Sequence, residues 1–170
     1  SKENRLPKVV VPVDFAGQSS DMEAIASLAK KYDFAIMQDA AHAIGARYQG
    51  HPTGDCRYSD LSIFSFHPVK IITTGEGGML TTNCDDLYEK LVRLRTHGIT
   101  RDPAHMEHEP HGPWYYEQIE LGFNYRMTDI QAALGLSQMS RLDECIVNRR
   151  ELAACYDELL ADLPITLPWQ

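Results

Sequence analysis

Three side chains able to do chemistry stand where an α/β chain would end its strands. Asp39 follows the apolar segment Phe34-Ala-Ile-Met37, Ser65 lies near the end of Leu61-Ser-Ile-Phe-Ser-Phe66, and Lys70 follows a few residues later. An acid closing an apolar strand is costly to bury unless a charge pairs with it. The lysine opens Lys70-Ile-Ile-Thr-Thr-Gly-Glu-Gly-Gly78, a segment whose glycines give the backbone freedom. A carboxylate, a hydroxyl and an amine on neighbouring strand ends suit a pyridoxal-phosphate (PLP) site. The carboxylate keeps a pyridinium nitrogen protonated, the hydroxyl binds a phosphate and the amine forms a Schiff base. Plainer roles remain open on pattern alone: Asp39 as the cap of a following turn, Lys70 as a solvated loop lysine, Ser65 as a small residue on a polar strand face.

Sites of open α/β sheets lie at the carboxyl ends of strands, so the elements carrying these residues decide whether they can meet. Residues 9–13, Val-Val-Val-Pro-Val, are a continuous apolar run and predict a strand buried on both faces. Ser19, Ser20 and Asp21 are candidate caps for a helix in which Met22, Ile25, Ala26, Ala29 and Tyr32 recur at helical spacing. With the strand at 34–37 this makes a βαβ unit, hence a parallel pair with a right-handed crossover. A loop over 45–60, a strand at 61–66, an irregular segment at 67–77 and a strand at 78–82 follow. Asn83 or Asp85 caps a helix reaching about His97. Residues 98–125 lack periodicity, and so long a stretch is usually functional. Thr128 or Asp129 opens a helix to about Gln138. A longer helix over 140–161 aligns Leu142, Cys145, Ile146, Arg149, Leu152, Tyr156, Leu159 and Leu160 on one face. The expected fold is α/β, three-layered, around a mostly parallel sheet.

With 170 residues, 44% hydrophobic and 24% charged, the chain has the balance of one soluble globular domain. No run approaches the ~18 apolar residues that span a bilayer, and the polar opening Ser-Lys-Glu-Asn-Arg-Leu-Pro-Lys carries no signal-type stretch. A cytoplasmic protein away from membranes is expected. Cys56, Cys84, Cys145 and Cys155 form no Cys-x-x-Cys pair, which argues against zinc and against a secreted disulfide framework; free, mostly buried thiols are expected. A net charge of −8 disfavours attachment to a nucleic-acid backbone. It leaves a nucleotide substrate open, since local cations or helix N-termini can hold a pyrophosphate.

The segments Gln38-Asp-Ala-Ala-His-Ala-Ile-Gly45 and Ser65-Phe-His-Pro-Val-Lys-Ile-Ile-Thr-Thr-Gly-Glu-Gly-Gly78 resemble the cofactor motifs of the DegT/DnrJ/EryC1/StrS aminotransferases, which aminate nucleotide-linked keto sugars with PLP. Leu121-Gly-Phe-Asn-Tyr-Arg-Met-Thr-Asp-Ile-Gln-Ala-Ala-Leu-Gly135 resembles a third family motif. Within the family, His-Pro-Val-Lys and Arg95-Thr-His-Gly-Ile-Thr-Arg101 are most similar to the branch making UDP-4-amino-4,6-dideoxy-N-acetyl-L-altrosamine for pseudaminic acid. The resemblance implies that Lys70 carries PLP as an internal aldimine and shuttles the proton. It implies that Asp39 holds the pyridine nitrogen, that His42 lies near the ring and its phenolic oxygen, and that Ser65 binds the phosphate. Asn124 would reach the phosphate of a neighbouring subunit, making a homodimer with shared active sites. Glutamate would be the donor and a UDP-linked 4-keto-6-deoxy-HexNAc the acceptor. The fold implied is part of the large domain of the aspartate-aminotransferase (fold type I PLP) kind. Residues 1–138 would belong to that domain, and 139–170 would lead towards an absent C-terminal small domain.

Family members resemble a chain more than twice as long, so an excised or truncated piece is expected, with an exposed hydrophobic face where the rest would pack. The competing reading is a non-catalytic module that folds, and may dimerise, without a complete cofactor site. A related dehydratase that puts histidine at the lysine position is set aside, because Lys70 is present. His105, His108 and His111 surround Pro110 and read as loop residues rather than metal ligands. Gly75-Glu-Gly-Gly78 precedes a strand and so is no dinucleotide fingerprint. Trp114-Tyr115-Tyr116 suits a substrate pocket or a subunit interface, and Arg93, Arg95, Arg101 and Arg126 are candidates for a pyrophosphate or a donor carboxylate, or for a solvated surface.

Overall fold

The apolar runs become strands, and their register follows from which side chains must be buried. The computed structural model describes residues 6–168; part of the polar opening (1–5) and the final two residues (169–170) lie outside the described residues. β1 (Val9–Val10), β2 (Ala35–Asp39), β5 (Leu61–Ser65) and β6 (Gly78–Thr81) form a sheet in the order β1-β2-β5-β6. The first two pairings are parallel and the last antiparallel, so the sheet is mostly parallel. α1 (Met22–Tyr32) crosses from β1 to β2. Asp21 caps it by accepting from the Ala24 N–H at 3.2 Å, and Asp33 ends it in the left-handed region at φ 56°.

On one face of the sheet Ile36 and Gln38 of β2 lie beside Ser62 and Phe64 of β5, all buried, and Met22 at the start of α1 is 2% exposed. The strand expected over 9–13 is shorter and more open than the sequence suggests. Pro12 has no N–H to give a ladder, so pairing stops at Val10 and returns only as a bridge between Val13 and Asp39. Val9, Val11 and Val13 are half-exposed, which corrects the expectation of a strand buried on both faces.

The 45–60 loop contains a small hairpin, β3 (Arg47–Tyr48) with β4 (His51–Pro52), turned by Gln49 at φ 49° and Gly50 at φ 82°. Tyr48 Oη donates to Asp21 Oδ1 at 2.7 Å and Gln49 Nε2 to Glu23 Oε2 at 2.9 Å, tying the hairpin to the first turn of α1. α3 (Asp129–Met139) and α4 (Leu142–Leu160) complete this part. Leu142 of α4 is buried, whereas Leu152, Tyr156 and Leu159 are exposed, so the expected apolar face is buried only near its start. On α3, Ile130, Leu134, Leu136 and Met139 are also exposed. Only Cys56 is buried; Cys84 and Cys155 are exposed and Cys145 is partly so, which corrects the expectation of mostly buried thiols.

The chain divides into two units, one formed by the described residues of Ser1–Thr81 and Asp129–Gln170, the other by Thr82–Thr128. In the second unit, α2 (Asp85–Leu94) is followed by β7 (Ile99–Thr100), a 3-10 turn at Pro103–His105 and β8 (Glu117–Gln118). β7 and β8 pair antiparallel, and backbone bonds from Phe123 N to Leu94 O (2.7 Å) and from Tyr125 N to Arg95 O (3.0 Å) stitch the 121–125 segment to the end of α2. The stretch without periodicity is therefore an ordered excursion. Its centre is Glu117, whose carboxylate accepts from the N–H groups of Glu107 (2.6 Å) and His108 (3.0 Å) and from Tyr115 Oη (2.7 Å).

Candidate active site at the strand ends

β2 and β5 run parallel with Asp39 opposite Ile63, so Asp39 and Ser65 end adjacent strands two residues apart in register. Asp39 Oδ1 accepts from the Ala41 N–H at 3.0 Å, the turn-capping role open to it on pattern. Its second oxygen makes no hydrogen bond among the described residues. One carboxylate thus serves the local turn and still offers an acceptor.

Beyond Ser65 the chain folds back on itself. Phe66 O accepts from both the Thr74 N–H (3.0 Å) and Thr73 Oγ1 (2.8 Å), Phe66 N donates to Gly77 O (2.9 Å), and Lys70 N donates to His67 O (3.0 Å). α3 fixes this loop from outside: Gln138 Oε1 accepts from the Thr73 N–H at 2.8 Å, and Gln131 Nε2 donates to Glu76 O at 3.0 Å. Gly135 lets α3 approach, since a Cβ there would meet Thr74 Cγ2 at 2.8 Å. Lys70 is therefore held at its backbone, while its ammonium has no hydrogen bond or ion pair among the described residues. Ser65 Oγ accepts a long 3.4 Å bond from the His67 N–H, leaving its proton to donate elsewhere.

His42 follows the turn that Asp39 caps. Its Nδ1 accepts from the Ala16 N–H at 3.3 Å, which makes Nε2 the protonated nitrogen of the neutral ring. The Phe15 ring lies 5.8 Å from it, and Gly17, at φ 88°, brings the preceding loop onto the His42 carbonyl. His42 and Lys70 line one cleft of about 830 Å³. Asp39 and Ser65 lie at the neighbouring strand ends and do not line it. Asn124 belongs to the second unit, where it bridges Thr96.

Sequence reasoning missed the support behind Asp39. Asp14 has no exposed surface; its Oδ2 accepts from Gln38 Nε2 at 2.8 Å and its Oδ1 from the Ser20 N–H at 3.0 Å. Gln38 Oε1 in turn accepts from Ser62 Oγ at 2.9 Å. The chain Asp14–Gln38–Ser62 therefore joins the segment after β1, β2 and β5 side by side. The backbones of Asp14 and Asp39 meet as well, Asp14 N donating to Asp39 O at 2.9 Å. Burial raises the Asp14 carboxyl above the ordinary carboxylate range, against the hydrogen bonds from Ser20 and Gln38, and the nearby Asp39 charge adds to the rise. The signal was present: Asp14 closes an apolar run just as Asp39 does.

No group of three or more candidate metal ligands occurs among the described residues. No described helix is long and apolar enough to cross a membrane.

Comparison with known proteins bears directly on this arrangement. Residues 2–170 match the family described as the DegT/DnrJ/EryC1/StrS aminotransferase family. A UDP-4-amino-4,6-dideoxy-N-acetyl-beta-L-altrosamine transaminase of Campylobacter jejuni is 44% identical over 146 residues, covering 86% of this chain and 36% of that protein. The solved structure of Helicobacter pylori PseC, an aminotransferase involved in the biosynthesis of pseudoaminic acid, superposes with a TM-score of 0.84. It is 34% identical, over 96% of this chain and 42% of that one. A sugar-aminotransferase candidate from Streptococcus pneumoniae, solved in its PLP form, gives a TM-score of 0.77 at 32% identity over 91% of this chain and 42% of its own. The chain thus spans well under half the length of the proteins it matches.

Proposed function

The chain belongs to the DegT/DnrJ/EryC1/StrS aminotransferase family and has the α/β fold of the large domain of fold type I PLP enzymes; from that premise we propose that Lys70 carries PLP. The full-length protein would transfer an amino group from glutamate to the 4-keto carbon of a UDP-linked 4-keto-6-deoxy-HexNAc. The observation that carries this reading is the pair of uncommitted groups on a fixed backbone, the Lys70 ammonium and the second oxygen of Asp39. Both suit the cofactor chemically, and neither has structural work to do. Relatives acting on UDP-linked amino sugars support the substrate class.

When bound, PLP supplies an electron sink for the carbon that exchanges its amine. Asp39 would hold a proton on the pyridine nitrogen through its free oxygen. His42 would donate from Nε2 towards the phenolic oxygen. The Ser65 hydroxyl would donate to the phosphate. Lys70 Nζ would take the proton from the substrate carbon and return it across the conjugated system, a role for which a positioned amine is suited. Asn124 would complete the phosphate site of a partner subunit in a homodimer. Residues 1–138 would be part of the PLP-binding large domain, with 139–170 leading to the small domain of a cytoplasmic enzyme.

An absorbance titration with PLP, run beside Lys70→Ala, tests the reading. A visible band in the wild type and not in the variant places the Schiff base at Lys70. A band of equal size in both proteins overturns that assignment. The absence of any lysine-dependent band from the 170-residue chain favours the competing reading, a module that folds without a working cofactor site.

A further inference from the structure

The cleft that holds Lys70 and His42 has a composition at odds with the chain around it. The sequence carries 24 acidic residues against 16 lysines and arginines. Yet the cleft is lined by four of the bases, Arg47, Lys70, Arg149 and Arg150, and by no aspartate or glutamate among the described residues. The asymmetry is sharpest on α4. That helix contains Asp143, Glu144, Glu151, Asp157 and Glu158, but it presents to the cleft only Ile146, Arg149, Arg150 and Ala153. Their spacing of three, four and seven is one helical stripe. None of these acids lines the cleft, and Ala153 adds only a small side chain to the wall.

Neither Arg149 nor Arg150 has a hydrogen bond or ion pair among the described residues. Arg47 is committed only in part, donating from Nη1 to Gly50 O at 2.9 Å. Two free guanidinium groups facing a cleft of about 830 Å³ offer the planar, forked donors that suit carboxylates and phosphates. The volume is in the range of sites for small molecules. On the aminotransferase reading, Lys70 and His42 account for one part of the cleft and leave the α4 wall unassigned.

We propose that Arg149 and Arg150, with Arg47 beside them, form an anion-binding wall that seats the doubly charged end of a substrate opposite Lys70. The shared chemistry is a ligand with two adjacent or paired acidic groups. Two sources meet it, the diphosphate of a sugar nucleotide and the two carboxylates of a dicarboxylic amino donor. The inference rests on the aminotransferase reading for the presence of such substrates, and on this chain's own residues for where they bind.

The test uses the full-length protein loaded with PLP, so that the cofactor phosphate is already satisfied. Inorganic pyrophosphate and 2-oxoglutarate are titrated separately by calorimetry at about 50 and about 300 mM salt, into wild type, Arg149→Ala/Arg150→Ala and Arg149→Lys/Arg150→Lys. At least one anion is expected to bind the wild type, roughly tenfold or more weaker in the alanine variant. The lysine variant should fall between them, and the salt dependence should shrink with the charges. A loss confined to pyrophosphate assigns the wall to the nucleotide; one confined to 2-oxoglutarate assigns it to the donor. Equal affinities in wild type and alanine variant overturn the proposal, and so does a wild type that binds neither anion, as when an acidic segment of the whole protein already occupies the arginines. The visible band that depends on Lys70 is read in the same samples. Its loss signals failure of the aminotransferase reading, whereas an intact band with unchanged anion affinity signals failure of the wall alone.

Discussion

Replacing Gln38 by leucine removes the centre of the chain that joins Asp14 to Ser62. Gln38 is 5% exposed and does two things at once, donating to Asp14 Oδ2 at 2.8 Å and accepting from Ser62 Oγ at 2.9 Å. Leucine fills a similar volume, so little cavity results. Ser62 keeps a neighbour in Ser59 Oγ at 3.1 Å, and its share of the loss is small. The Asp14 carboxylate, with no access to water, loses one of its two donors and keeps only the Ser20 N–H; an orphaned buried acceptor costs about 1–3 kcal/mol, more when charged. A net loss of about 3 kcal/mol at pH 8 follows. The sign of its pH dependence is fixed. The folded-state carboxyl of Asp14 already lies above its ordinary value of 3.8, chiefly through burial. Ionising it therefore penalises the native state, by an amount absent below that value and growing as pH rises through the raised one. Removing the Gln38 donor raises it further, so the penalty keeps growing to higher pH. Urea denaturation followed by circular dichroism should show Gln38→Leu destabilised more at pH 8 than at pH 5. A loss under about 1 kcal/mol at both, or a larger loss in acid, would refute the role assigned to the network.

The second unit and the hairpin allow sharper comparisons. Gly98→Ala and Gly50→Ala both place a side chain at positive φ (69° and 82°), but a Cβ at Gly98 runs into the Glu120 carbonyl, while at Gly50 nothing lies within 4 Å. Gly50→Ala should cost about 1–2 kcal/mol from backbone strain, and Gly98→Ala distinctly more, as compared by thermal melting. Glu117 is held down to about 2, first by the Glu107 N–H and then by Tyr115. Its contribution is complete above the ordinary value of 4.5 and is lost as pH falls towards 2. Hydrogen exchange of the Glu107 and His108 amides should therefore quicken in acid, beyond the intrinsic pH dependence of exchange, in the wild type. In Glu117→Gln these amides should already be poorly protected at neutral pH; full protection there would remove Glu117 from the centre of the loop.

Much of the fold was legible because burial writes a period into the sequence. The helix from Met22 to Tyr32 and the strands ending at Asp39 and Ser65 lie close to where spacing put them. The misses share a cause, which is that sequence pattern reports a residue's preference and not its neighbours. The β3–β4 hairpin turns through Gln49-Gly50, both at positive φ, the geometry of a type I′ turn but without the usual Asn-Gly signal. The apolar positions of α4 predicted one buried face, yet burial holds at Leu142 and fails at Leu152, Tyr156 and Leu159. Among the candidate site residues, His42 came from the family resemblance, whereas pattern alone singled out Asp39, Ser65 and Lys70; Lys70 and His42 share a cleft, and Asp39 ends the adjacent strand. Pattern missed Asp14 and Gln38, whose polar atoms are satisfied by each other and so leave no periodic trace. It also grouped Arg149 with an apolar stripe. Of that stripe only Ile146 and Arg149 line a cleft, beside Arg150 and with none of the helix's acids in the lining. An arginine on an inward face is a strain on the fold if the face meets apolar core, and a binding group if it meets a cleft without carboxylates. The lining of the cleft decides for the second.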